Sequence, residues 1–251
     1  MSTGAGEGRN GHAERAARTR LKIILAAERL FAERGIDSVS LREVAAAARQ
    51  RNPAVVQYHF GSKEVLVEAI LAHHRPPVNE ARARMLDAIT ATEPEEVVRA
   101  AVEAIVLPLA QFLEREERSP FLRIFHLAQL REGARGLVLP EGDERGSVDP
   151  SAETGYRALD LIVRASPHLD RAEVELRLDL AMTMLVAALG RRDALERDAR
   201  AGLPPRDRFL EELIEGIVAM LLRPSSASRS PAGRRRRQGR RPSTGSSTTV
   251  D

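Results

Sequence analysis

A chain of 251 residues, 43% of them hydrophobic, can bury a sizeable core, and the absence of cysteine and tryptophan excludes disulfides, thiolate metal sites and cysteine nucleophiles. Its net charge of +3 is unevenly spread: residues 1–75 hold 12 Lys/Arg against 8 Asp/Glu, residues 76–222 hold 19 against 27, and residues 223–251 hold 8 against 1, so two basic ends flank an acidic middle and point to an anionic partner such as nucleic acid. Residues 1–20 are polar and no apolar run reaches the ~18–20 residues of a membrane span, which predicts a cytoplasmic protein.

Aromatic content is 3% and no segment alternates apolar with polar residues, so the fold class is all-α. Residues 1–18 read as a flexible basic arm; Arg15 and Arg18, with Arg20 just beyond it, add affinity for a nucleic-acid backbone. Ile23, Ile24, Ala27, Leu30 and Phe31 form the stripe of a first helix, which Gly35 ends. Ser40 and Glu43 in "SLRE" make a capping box that opens a second, with Leu41, Val44, Ala45 and Ala48 as its apolar side. Asn52 caps a third and Pro53 fits its first position, where a missing N–H has no partner to lose. That helix runs through "AVVQYHF", and Gly61-Ser62 starts a fourth at Lys63. Three short helices with a tight connection between the second and third define a helix-turn-helix. Ala54 and Val56 form the apolar side of its third helix and Phe60 closes the core, while Arg49, Arg51, Asn52, Val55 and Gln57 face outward. Arg pairs bidentately with guanine, Asn and Gln with adenine, and Val meets a thymine methyl, so this set has the chemistry of major-groove reading.

The stretches "IILAAERLFAERGIDSVSLREVAAAA" and "VVQYHFGSKEVLVEAI" resemble the TetR family of bacterial transcriptional regulators over residues 19–72. The chain departs from that pattern in the turn, with Ala48-Arg49 where the family usually has Ala-Gly. The resemblance implies an N-terminal three-helix DNA-binding domain (19–75) and a larger helical bundle (76–222) for ligand binding and dimerisation. It also implies that Tyr58 and His59 lie against the phosphate backbone, that Lys63 contacts a phosphate and that helix four acts as a lever. Ser40 and Arg42 complete the expected DNA-contacting set.

After "HHRPP" at 73–77 the composition changes, and the two histidines beside Arg75 read as a solvated helix end. Helices are predicted over 78–91, 95–117, 120–131, 150–165, 170–198 and 205–222, with a kink at Pro108 and a mobile loop over 132–150. Arg123, His126 and Gln129 lie three apart on one helix, as a polar cavity lining or a part-solvated face. "LDLAMTMLVAAL" is apolar on nearly every side and a second stripe follows it, so Leu178, Met182, Leu185, Leu189, Leu210, Leu213, Ile214, Ile217 and Leu221 are the expected homodimer interface, with a plain buried core helix as the alternative reading. Residues 223–251, rich in Arg, Ser and Pro, are expected to be disordered.

No phosphate loop, nucleophile motif or metal-ligand spacing is present, so neither an enzyme nor a cofactor is expected. The expected function is a ligand-responsive regulator, a repressor, that binds a palindromic double-stranded DNA operator as a homodimer and is released by a small molecule. A helical enzyme or carrier and a non-specific DNA-compacting protein are the alternatives.

Overall fold

The computed structural model describes residues 4–114, 120–132 and 153–225, and among these there is no strand. The expected loop at 132–150 and the Arg-rich tail fall, apart from their first residues, outside them.

The N-terminal unit forms where its local signals place it. Helix α1 (Gly4–Arg34) stops at Gly35, whose φ of 85° suits only a residue without a Cβ. It starts much earlier than the sequence suggests, so the described part of the basic arm is helix. "AERAARTR" is rich in good helix formers, and Glu14 and Arg18 pair along it at 4.0 Å. Helix α2 (Leu41–Ala47) opens on the Ser40–Glu43 capping box. Helix α3 (Ala54–Phe60) follows the turn, and Ser62 caps α4 through the Val65 N–H at 3.2 Å. Ile23, Phe31, Val44, Val56, Phe60 and Leu66 interlock in its core.

Helix α4 (Lys63–Asp87) corrects the expectation of a separate helix over 78–91, because it runs unbroken through Pro76 and Pro77. A proline inside a helix costs about 3 kcal/mol in a lost hydrogen bond and a ring clash. The carbonyls deprived of their usual partners here belong to Ala72 and His73, both on the exposed side of the helix. Burial on both sides offsets the rest: Leu66 and Ile70 lie in the N-terminal core, Val78 and Leu86 in the C-terminal one. His74 is therefore not a solvated end. It is buried in mid-helix, with Nε2 3.0 Å from Oε1 of buried Glu28 on α1.

The C-terminal bundle comprises α5 (Pro94–Ala110), a 3-10 turn (Gln111–Leu113), α6 (Phe121–Glu132), α7 (Glu153–Arg164), α8 (Arg171–Arg197) and α9 (Arg206–Leu222). Helix α6 joins the two units, since Leu122 enters the bundle core while Ile124 and Ala128 enter the core of the N-terminal unit. Gly190 lets α8 cross α6 closely: a Cβ there would come within 3.1 Å of the His126 Cβ. Charged groups pin α8 to α9. Arg177, buried, pairs with Glu173 at 2.7 Å and donates to the carbonyls of Met220, Leu221, Arg223 and Pro224, a cation at a helix C-terminus. Arg206, aided by Arg192, holds the Glu196 carboxyl below its usual range.

Glu43 accepts from the Ser40 backbone N–H and hydroxyl, each at 2.8 Å, and lies 2.8 Å from Arg34. These bonds, the backbone one first, lower its pKa to about 2. A depressed carboxyl contributes stability that is complete above the unfolded value of about 4.3 and is lost as pH falls through the folded one. NMR titration of the Glu43 carboxyl carbon is expected to give a midpoint near 2; a midpoint near 4 would mean the cap does not form in solution.

Candidate nucleic-acid interface and internal cavity

The turn between α2 and α3 is closed by two backbone bonds, Arg49 N–H to Ala46 C=O at 3.0 Å and Gln50 N–H to Ala45 C=O at 2.9 Å. This is the Schellman pattern of a helix C-terminus, and it requires a left-handed residue at Arg49, whose φ is 55°. The position where the resembling family has glycine is thus held by arginine at a cost of about 1–2 kcal/mol. Asn52 Oδ1 accepts from the Ala54 N–H at 2.9 Å, so the amide read as a base contact is first a cap for α3.

Thr19, Lys22, Arg49 and Gln50 border one open depression together with Arg51, Asn52, Val55 and Tyr58. Cations from α1 and the turn therefore converge beside α3. Tyr58 is 85% exposed, an unusual state for a tyrosine that serves no packing role. Its ring meets His59 edge-on at 5.3 Å, and His59 is half-buried. Arg42 and Gln57 are exposed, and Ser40, also exposed, is engaged in its cap.

Four expectations change. Val55 is half-buried against the core, whereas Ala54, assigned to the packed side, is exposed, because the buried side of so short a helix is set by Val56 and Phe60. Lys63 donates to the Asp37 carbonyl at 3.2 Å, which ties α4 to the α1–α2 loop and leaves further N–H groups for a phosphate. Arg20, expected as a backbone contact, is exposed but has its guanidinium stacked 4.6 Å from the Phe60 ring centroid. Lys22 and Thr19 escaped the sequence reading, although Arg15, Arg18 and Lys22 follow one another at helical spacing on exposed positions of α1.

A cavity of about 190 Å³ lies within the bundle. Leu71, Arg75, Val78, Asn79 and Arg82 of α4 form one wall, and Ile105 and Leu109 of α5 another. Phe121 and Phe125 of α6, Gly155, Tyr156 and Leu159 of α7, and Met182 of α8 complete it. Arg123, His126 and Gln129 are absent from this lining. Arg123 is exposed, His126 sits at the crossing with Gly190 and Gln129 is half-buried, because a spacing of three swings each residue off the stripe that Phe121 and Phe125 hold at a spacing of four. Phe121 also packs against His74, with ring centroids 4.7 Å apart, so the cavity wall touches the Glu28–His74 pair.

The expected interface residues are mostly internal. Leu178, Leu185, Leu189, Leu213, Ile214, Ile217 and Leu221 are buried in the chain's own core, Met182 faces the cavity and Leu210 is half-buried. A helix apolar nearly all round is here sandwiched between α6 and α9. The exposed apolar residues of α8 are instead Leu176 and Leu180, at 58% and 48%, one turn apart. Among the described residues, no group of three His, Asp or Glu side chains is placed to hold a metal, and no helix is long and apolar enough to cross a membrane.

A helix-turn-helix with a cationic rim, joined through α4 and α6 to a bundle that holds a cavity, is the architecture of a DNA-binding regulator. Residues 23–70 match the model of bacterial regulatory proteins of the tetR family, and residues 103–220 match that of the tetracyclin repressor-like C-terminal domain. The chain belongs to the TetR family of transcriptional regulators. It is 31% identical over 148 residues to the HTH-type transcriptional repressor NicS of Pseudomonas putida, a match covering 57% of this chain and 66% of that repressor, just under two thirds of its length. Its fold is similar to that of a TetR family transcription regulator from Marinobacter aquaeolei, with a TM-score of 0.51, 16% identity and coverage of 83% of this chain and 97% of that one.

Arg49→Gly separates the two roles of this residue. Relief of the left-handed strain is expected to leave stability unchanged or raise it by up to about 1 kcal/mol. Loss of the cation is expected to weaken binding to any duplex and to reduce the slope of log affinity against log salt by about one. An unaltered slope in fluorescence anisotropy would remove Arg49 from the phosphate contacts.

Proposed function

We propose that the chain is a ligand-responsive transcriptional repressor. A homodimer places α3 of each protomer in successive major grooves of a palindromic operator, and a small molecule in the cavity releases it. The convergence of Lys22, Arg49 and Arg51 beside an exposed Tyr58 carries this reading. Cations give affinity for phosphates, and Gln57 with Arg51 supplies groups able to read base edges. A single helix-turn-helix covers only one half-site, so two are needed for an operator, about 34–36 Å apart.

Residues 19–75 form the reading unit and 76–222 the bundle, with α4 shared between them. The proposed dimer surface is the exposed side of α8, Leu176, Leu180, Thr183 and Ala187, beside Gly216 and Ala219 of α9. The small residues of α9 let a partner helix approach, and Gly216 already lies near Met184 of α8. A molecule in the cavity touches α4, α5, α6, α7 and α8 at once. It shifts the protein only by preferring one arrangement of these helices over another.

Selection from a random duplex pool tests the function. Enrichment of a palindrome with half-sites one helical turn apart is the expected result. Equal affinity for every duplex would point to non-specific compaction instead. For assembly, Leu176→Glu with Leu180→Glu is expected to give a folded monomer by light scattering, because both side chains are exposed within the protomer. Leu213→Glu, which buries a charge in the core, is expected to cost several kcal/mol and unfold it. A dimer that survives the double change would place the interface elsewhere.

A further inference from the structure

Arg82 is buried on α4 and lines the cavity. Arginine stays charged in proteins, and burial of a cation is ordinarily matched by a carboxylate. Among the described residues none lies within ion-pair distance of Arg82. Its Nε donates to the Ala104 carbonyl at 3.2 Å, and its Nη1 reaches Thr154 Oγ1 and Asn79 Oδ1 only at 3.3 and 3.4 Å. Nη2 donates to no described residue. Ala104 is free to accept because Pro108, four residues on, has no N–H to offer it. The helix thus presents an orphaned carbonyl that anchors Nε of the guanidinium, and Nη2 is left for a ligand in the cavity that Arg82 lines. Burial alone pulls this arginine down to about 10, the direction expected of a cation lacking a counter-charge.

The remainder of the lining sharpens the chemistry. Among the described residues it contains no Asp or Glu, and its other described cation, Arg75, is paired with Glu68 at 2.6 Å. The rest of the described lining is largely apolar, with Phe121 and Phe125 stacked at a centroid distance of 5.7 Å. An apolar cavity of about 150 Å³ holds benzene. One of about 190 Å³ takes an aromatic ring with a small substituent, or an aliphatic chain of similar volume.

We propose that the cavity binds a small organic monocarboxylate, with the carboxylate on Nη2 of Arg82 and its ring or chain between Phe125, Leu159 and Met182. This deepens, and rests on, the reading of the cavity as the effector site. A charge-assisted bond to a buried guanidinium discriminates strongly against a neutral amide of the same shape, because the amide leaves the cation unmatched.

Calorimetry on the full chain with benzoate, phenylacetate and hexanoate, each against its primary amide, tests the proposal. At least one acid is expected to bind and to exceed its amide by about tenfold or more. Arg82→Met is expected to lose that preference, and Arg82→Lys to keep part of it. Because an unmatched buried cation is removed, Arg82→Met is expected to melt no lower than wild type; if it fails to fold, the acid-to-amide ratio of wild type and of Arg82→Lys decides. Amides that bind as well as acids, acid binding untouched by Arg82→Met, or no binding by any of the acids would overturn the proposal. Operator occupancy followed in the same titrations separates the two readings. Acid that binds through Arg82 without displacing operator contradicts the effector role and leaves the site standing. Displacement by amide and acid alike keeps the effector role and removes the anion preference.

Discussion

The contact on which the rest of this molecule depends is the buried pair between Glu28 of α1 and His74 of α4. Two ionisable groups 3.0 Å apart in an apolar seam fix one register of α1 against α4, because any slide leaves a polar group without its partner. The His74 ring is also wedged against Phe112 and Phe121 of the bundle. One side chain therefore touches the helix that positions the DNA-reading turn and the wall of the cavity. His73 beside it faces outward, and partial burial with the neighbouring His74 pushes its pKa down, so the neutral form is favoured there.

This placement explains why α4 remains one helix through two prolines. A break at 75/76 would separate Leu66 and Ile70 from Val78 and Leu86, which anchor its halves in different cores. An unbroken rod connects the cavity wall to the far end, where Ser62 and Lys63 meet the α1–α2 loop and α3. Helix α6 gives a second link, since Ile124 and Ala128 lie in the N-terminal core while Phe121 and Phe125 face the cavity. Such coupling needs helices with discrete arrangements rather than a soft hinge, and close packing on both sides of α4 and α6 provides them.

The legible part of this architecture was local. The Ser40–Glu43 box, Gly35, Asn52-Pro53 and Gly61-Ser62 are short-range devices whose energetics lie within a few residues of sequence, so α2, α3 and the start of α4 fall where these signals put them. Pro76-Pro77 misled because its cost is local while the compensating burial comes from two distant cores. Arg123, His126 and Gln129 read as lining for a related reason: spacing identifies a stripe but not which neighbour it faces, and α6 turns Phe121 and Phe125 to the cavity instead. Arg82 shows no sequence signal at all, since its meaning rests on a carbonyl that Pro108 frees from a different helix. The α8 stripe failed likewise, because periodicity cannot separate an apolar surface covered by α9 from one covered by a second copy.

If the Glu28–His74 seam couples the cavity to the reading helix, its removal changes how a ligand acts on operator binding. Replacing both with leucine removes the polar register while keeping volume, a change that is commonly neutral or stabilising for a buried pair. The decisive measurement is the ratio of operator affinities without and with the cavity-filling acid, in wild type and in Glu28→Leu/His74→Leu. Coupling free energies correspond to ratios of about 5–150, and wild type is expected in that range. The double variant is expected to bind the acid as wild type does while its ratio falls towards one; a ratio equal to that of wild type would contradict the account.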